Sequence, residues 1–138
     1  MSKTQNFRTQ HDDLLAIAGE ISGHFNAEKL AQDASAVRSL LSKLLGKLAI
    51  HLSMEDKSLY PSLLNHADEE VKSLAQKFID EMGGIGKVLD EYKHKWSSPI
   101  AIQSAPQDFI TETEGIFSAL AGRIDKENNV LYNKVDQL

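Results

Sequence analysis

The sequence contains no cysteine, which rules out disulfides, thiolate zinc sites, iron–sulfur clusters and a cysteine nucleophile together. Any metal must therefore be held by histidine and carboxylate. Basic clusters are missing as well. The net charge is −5 and the lysines and arginines are scattered, so the chain lacks the electrostatic footprint of a nucleic-acid or anionic-membrane binder. Its expected partners are small molecules, ions or proteins. No apolar run reaches the length of a membrane span, and the start, Met1-Ser2-Lys3-Thr4-Gln5-Asn6, lacks the apolar stretch of a signal peptide, which makes the cytoplasm the expected location. A phosphate-binding glycine loop, a nucleophile elbow and a dinucleotide fingerprint are also lacking, so hydrolytic and hydride-transfer enzymes find no support.

What the chain does have is a period of 3.6, with apolar residues recurring three and four apart and strand-like alternation hard to find. The length of 138 residues suits one domain, 1–138, with a continuous core. A first helix is expected from about Phe7 to Gly23, with His11, Leu14, Leu15, Ala18 and Ile21 on one stripe. The inner line of a second, longer helix carries Leu41, Leu44, Leu45, Leu48, His51, Glu55 and Leu59, and Pro61 bends or closes its last turns. Asp68 caps a third helix, whose stripe runs through Leu74, Phe78, Met82, Ile85, Leu89, Tyr92 and Trp96 to the stop at Ser97-Ser98-Pro99. After a loop through Ser104-Ala105-Pro106, a fourth stripe reads Phe109, Ile116, Phe117, Leu120, Ile124, Glu127, Leu131 and Val135. The expected fold class is all-α, an antiparallel up-down four-helix bundle. A gap-free alignment of His51–Tyr60 with Arg123–Tyr132 also suggests two copies of one helical hairpin.

The informative feature is polar residues inside these stripes: His11 on helix one, His51 and Glu55 on helix two, and Glu127 on helix four. A His and a Glu four apart lie on one helix face, so both can reach one ion from the same direction. Burying two carboxylates among leucines is costly unless something positive lies between them. Two candidates exist: a metal bound with His11 and His51, or the guanidinium of Arg123, one turn from Glu127. In the second case Arg123 makes a bidentate pair with a glutamate while His51 hydrogen-bonds the other, giving a metal-free polar layer.

These residues carry a resemblance to the hemerythrin-like family. Its pattern is a His on the first helix, His-x-x-x-Glu followed by a Leu-Tyr-Pro-like segment on the second, a His on the third and a second His-x-x-x-Glu on the fourth. The first copy is intact as Gln10-His11-Asp12, His51-Leu52-Ser53-Met54-Glu55 and Leu59-Tyr60-Pro61. In the second copy Met82 and Arg123 occupy the two lost ligand positions, while Glu127 and Leu131-Tyr132 remain. The resemblance implies a hemerythrin-like bundle with His11, His51, Glu55 and Glu127 as metal ligands. The cofactor it implies is iron, mononuclear or as an incomplete di-iron centre, with dioxygen, nitric oxide or peroxide as the small ligand. The competing expectation is a metal-free regulatory or protein-interaction bundle.

Other features read as structural. Tyr60 and Tyr132 are assigned to packing, with orientation of a ligating carboxylate as the alternative. Glu91-Tyr92-Lys93-His94 spells a Glu-x-x-His pair but lacks a second copy, and His24, His66 and His94 fall near helix ends or polar faces. Gly83, Gly84 and Gly86 are unexpected in mid-helix, at about 1 kcal/mol each relative to alanine. They either let helices approach closely or open a pocket beside position 82.

Overall fold

A computed structural model describes residues 4–82 and 84–138, with the side chain of Met82 outside the description. Among the described residues there is no strand, and no helix is long and apolar enough to cross a membrane. Helix α1 (Gln5–Ser22) buries His11, Leu14, Ile17, Ala18 and Ile21. Leu15, expected on that stripe, is 42% exposed. A short α2 (Ala27–Gln32) follows, capped by Asn26, whose side chain accepts from the Lys29 amide at 3.0 Å. This satisfies one of the donors that a helix start leaves open.

Helix α3 (Ser35–Met54) does not run straight into its end. At Glu55 it widens into a π-helical turn, Glu55–Leu59, before α4 (Tyr60–Leu64). The fourth long helix repeats the device: α8 (Pro106–Lys126), a π turn Glu127–Leu131, then α9 (Tyr132–Asp136). Each wide turn begins at a glutamate, spans five residues and closes with a tyrosine amide bonded to that glutamate's carbonyl. The gap-free alignment read from sequence is thus also a structural one. Pro61 is not the cause of the turn, because the second copy has Asn133 in the corresponding place.

The third helix, expected as one, is described as α5 (Glu69–Met82) and α6 (Ile85–Lys95), with a turn at Gly84. Asp68 does start it, its carboxylate accepting from the Glu70 amide at 2.9 Å. The segment expected as a loop contains α7 (Pro99–Ser104), because Ser98 caps it through the Ala101 amide.

Two apolar clusters make the core. One holds Leu14, Ile21, Leu41, Leu44, Leu48, Trp96, Phe109 and Leu120 among others, and the second holds Tyr60, Leu63, Val71, Phe78, Leu131, Tyr132 and Val135. Full burial of each such aliphatic side chain contributes about 1.5–3 kcal/mol. Along α1, α3 and α8 the polar residues of the inner stripes fall between these clusters, so the two apolar masses enclose one polar layer.

Candidate metal centre

His11, His51, Glu55 and Glu127 meet in that layer. All four are buried, at 0%, 2%, 0% and 1% exposure, and one ligand atom from each lies within 4.8 Å of every other. Nε2 of His11 is 3.0 Å from Nε2 of His51, Nε2 of His51 is 2.6 Å from Oε1 of Glu55, and Nε2 of His11 is 3.2 Å from Oε1 of Glu127. Ligands about 2.0–2.2 Å from a metal and at right angles to each other are themselves about 3 Å apart. The observed spacings are compatible with neighbouring corners around one ion, and equally with hydrogen bonds.

The outward nitrogens decide what the inward ones can do. Nδ1 of His11 donates to Oδ1 of Asn128 at 2.8 Å, and Nδ1 of His51 donates to Oε1 of Gln10 at 2.6 Å. In a neutral ring this leaves Nε2 a bare lone pair, which is how second-shell partners prepare an imidazole for a metal. Burial first, then the neighbouring His11, lowers the pKa of His51 to about 4, so its ring is neutral at pH 7. Its Nε2 lone pair therefore faces a second imidazole nitrogen at 3.0 Å and Oε1 of Glu55 at 2.6 Å. Oε1 of Glu55 is buried and has no hydrogen-bond donor. Facing acceptors in a dry interior repel unless a proton or a metal cation lies between them. The residues present fit a metal ion.

The tyrosines have a second role beyond packing. Tyr60 donates to Oε2 of Glu127 at 2.9 Å, and Tyr132 donates to Oε2 of Glu55 at 3.3 Å. Burial and then the two carboxylates push both phenols well above their ordinary range, so they remain donors. Their hydroxyls thus find partners, as buried tyrosines are expected to, and the partners are the two glutamates.

Arg123 lies beside both carboxylates, 7% exposed, with Nη2 3.8 Å from Oε1 of Glu55 and Nε 3.5 Å from Oε2 of Glu127. These are ion pairs longer than the about 2.7–2.9 Å of charge-assisted hydrogen bonds, so the close bidentate pairing entertained from sequence is not formed. Arg123 offsets one negative charge of the two. The second then needs a proton or an ion. Burial first, then the adjacent Glu127, raises Glu55 far above the carboxylate range. Burial pushes Glu127 the same way but is outweighed by His11, by Glu55 and by Arg123, which hold it low.

The remaining histidines stay apart: His24 and His94 are exposed, as is Glu91. Position 82, where the third helix lacks a histidine, is outside the described side chains, and Gly83 is outside the described residues. Sequence reasoning missed Gln10 and Asn128 as holders of the imidazoles. Their adjacency to His11 and Glu127 was the available signal.

A search of curated proteins and one of solved structures returned no match. A family model does match, the hemerythrin HHE cation binding domain, over residues 2–135. With a buried His/Glu cluster compatible with metal binding and a match over nearly the whole length, the chain belongs to the hemerythrin HHE cation-binding domain family.

Proposed function

We propose that this chain holds a single non-haem metal ion, iron, on His11, His51, Glu55 and Glu127, and uses it to bind dioxygen, nitric oxide or peroxide for sensing, carriage or scavenging. The observation that carries the reading is the pair of inward Nε2 atoms 3.0 Å apart, each with its Nδ1 already committed to an amide oxygen. Two imidazoles with carboxylate suit ferrous iron and leave positions open to a small ligand. Bound there, the ion would supply a Lewis-acidic, redox-active centre. Gln10 and Asn128 fix the imidazole faces, Tyr60 and Tyr132 steady the carboxylates, and the two apolar clusters keep bulk water out. Arg123 takes the place of a second cation, a permanent charge that cannot be exchanged.

We read the architecture as one domain and an antiparallel four-helix bundle. In support, α1 and the α5–α6 pair lead from the second apolar cluster toward the first, whereas α3 and α8 with their continuations lead back. The ends are tied together where Thr4 Oγ1 donates to Asp136 at 2.9 Å.

The test is anaerobic loading of metal-free protein with ferrous iron, followed by desalting and elemental analysis. About one retained ion per chain, lost in His51→Ala, is expected of a two-His-one-carboxylate site. Absence of stoichiometric iron would end the proposal. The second reading is a metal-free regulatory or interaction domain, favoured by the ion pairs Arg123 makes with both carboxylates. It requires unchanged melting with iron or chelator, because a ligand of the native state raises its stability by mass action.

A further inference from the structure

The two halves of the centre are covered differently. On the Tyr132 side, Arg8 Nη1 donates to the Asn128 carbonyl at 3.1 Å and the guanidinium lies 5.5 Å from the Tyr132 ring centroid. Arg8 covers that side. The matching residues of the other half are Asp56 and Tyr60, and there the structure holds a cavity of about 70 Å³ lined by Leu52, Asp56, Tyr60, Phe78, Gly86 and Arg123 among others. Two of its lining residues touch the centre directly, Tyr60 through Glu127 and Arg123 through both glutamates.

A second cavity of about 230 Å³, between α3 and α6, shares Leu52 and Gly86 with the first. Gly86 is the joint between them. A Cβ built on Gly86 would meet no atom within 4 Å, and no described glycine has a positive φ. Neither close helix packing nor backbone conformation explains this glycine, although it costs about 1 kcal/mol against alanine inside a helix. What it leaves is space, at the edge of the cavity that Arg123 also lines.

We propose that the opening at Gly86 is the port through which a polar ligand the size of hydrogen peroxide reaches the centre, and that Arg123 and Tyr60 hold it beside the carboxylates. The geometry is independent of the metal; the consequence for chemistry rests on the metal reading above. Water occupies about 30 Å³ in the liquid, so an inner cavity of about 70 Å³ suits hydrogen peroxide better than a branched alkyl hydroperoxide. Guanidinium only donates, whereas a phenol oxygen also accepts. A peroxide both accepts from Arg123 and donates to Tyr60 or Asp56, a match that an apolar diatomic molecule cannot make. Leu52 and Phe78 supply the dry walls.

Gly86→Leu fills the port with a residue of better helix propensity, so folding is retained, as circular dichroism would verify. Metal-free wild-type protein, titrated with hydrogen peroxide and followed by ¹H–¹⁵N NMR, is expected to show shifts concentrated at the amides of Asp56 and Gly86 and at Arg123 Nε–H. The Asp56 and Arg123 shifts should vanish in Gly86→Leu. With iron loaded, stopped-flow mixing should show peroxide reacting at least about tenfold more slowly in Gly86→Leu at equal iron content, since entry then needs a local opening. A peroxide rate within about twofold of wild type at equal iron content, or pocket shifts that persist in the filled variant, would overturn the port. If neither protein retains iron while the metal-free shifts behave as described, the port stands and the metal reading falls.

Discussion

The hydroxyl of Tyr60 donates to Oε2 of Glu127 on another helix at 2.9 Å. Its counterpart Tyr132 reaches back to Glu55 at 3.3 Å, so each half of the chain steadies the carboxylate of the other. The cross-over joins the two long helices through the layer where burial of charge is most expensive, and it leaves Oε1 of each glutamate turned toward an imidazole.

Tyr60→Phe keeps the ring and removes only this donor. The expected cost in stability is about 1 kcal/mol, while metal affinity falls about 10–100-fold, the usual effect of losing an outer-shell partner. Competition against a chelator of known affinity measures the second quantity. An affinity equal to wild type would return Tyr60 to a packing role.

Arg123→Met removes the permanent cation between two buried carboxylates. Breaking such a pair leaves an uncompensated charge, and the metal-free protein should lose about 3–5 kcal/mol in urea unfolding. Iron-loaded variant should lose much less, because the ion takes over the neutralisation. Arg123→His combined with Met82→His restores the lost ligand types, and elemental analysis should then find a second metal equivalent. Loss of all metal from that double variant would contradict the pairing of the two halves.

Metal affinity should rise with pH. The raised Glu55 carboxyl holds a proton that an incoming cation must displace, so binding releases a proton above the ordinary carboxylate value of 4.5 and up to the raised one. His51, lowered from 6.5 to about 4, offers no proton to displace at neutral pH. For the metal-free protein the two act oppositely. Stability from the Glu55 proton is complete below 4.5 and is lost as pH rises through its raised pKa. Stability from neutral His51 is complete above 6.5 and is lost as pH falls through about 4. Between 4.5 and 6.5 the slopes cancel, and above 6.5 metal-free stability should decline while the stabilisation by iron grows. Denaturant titrations at a series of pH values, with and without iron, would check both slopes.

Removing the metal should lower the melting temperature. At a free iron concentration one hundred times Kd, the native state gains about 2.7 kcal/mol, and a chelator should abolish that gain. Glu55→Gln should show neither the gain nor its loss, as calorimetry with and without chelator would reveal.

The inner stripe read from sequence ran through Leu59, which is only half-buried, and did not foresee the wide turn that begins at Glu55. Five residues beyond Glu55 on an unbroken α-helix is about 140° away from it. The π turn absorbs one residue, so Tyr60 returns to the glutamate's face and is buried. Nothing in a 3.6 period announces such an insertion. The same limit hid the turn between α5 and α6, where apolar residues continue on both sides of Gly84.

The order of amino acids determined the helical class and named the four side chains that meet in the interior, His11, His51, Glu55 and Glu127. It could do so because helical period and the four-residue His-to-Glu spacing are local properties of one turn. Tertiary structure alone decided that Arg123 stands beside the cluster as a distant ion-pair partner, that Gln10 and Asn128 turn both Nε2 atoms inward, and that each tyrosine serves the opposite glutamate. Those relations are distances of a few ångströms between different helices, set by how the two apolar clusters pack, and they determine whether a buried charge meets a proton, an arginine or an ion.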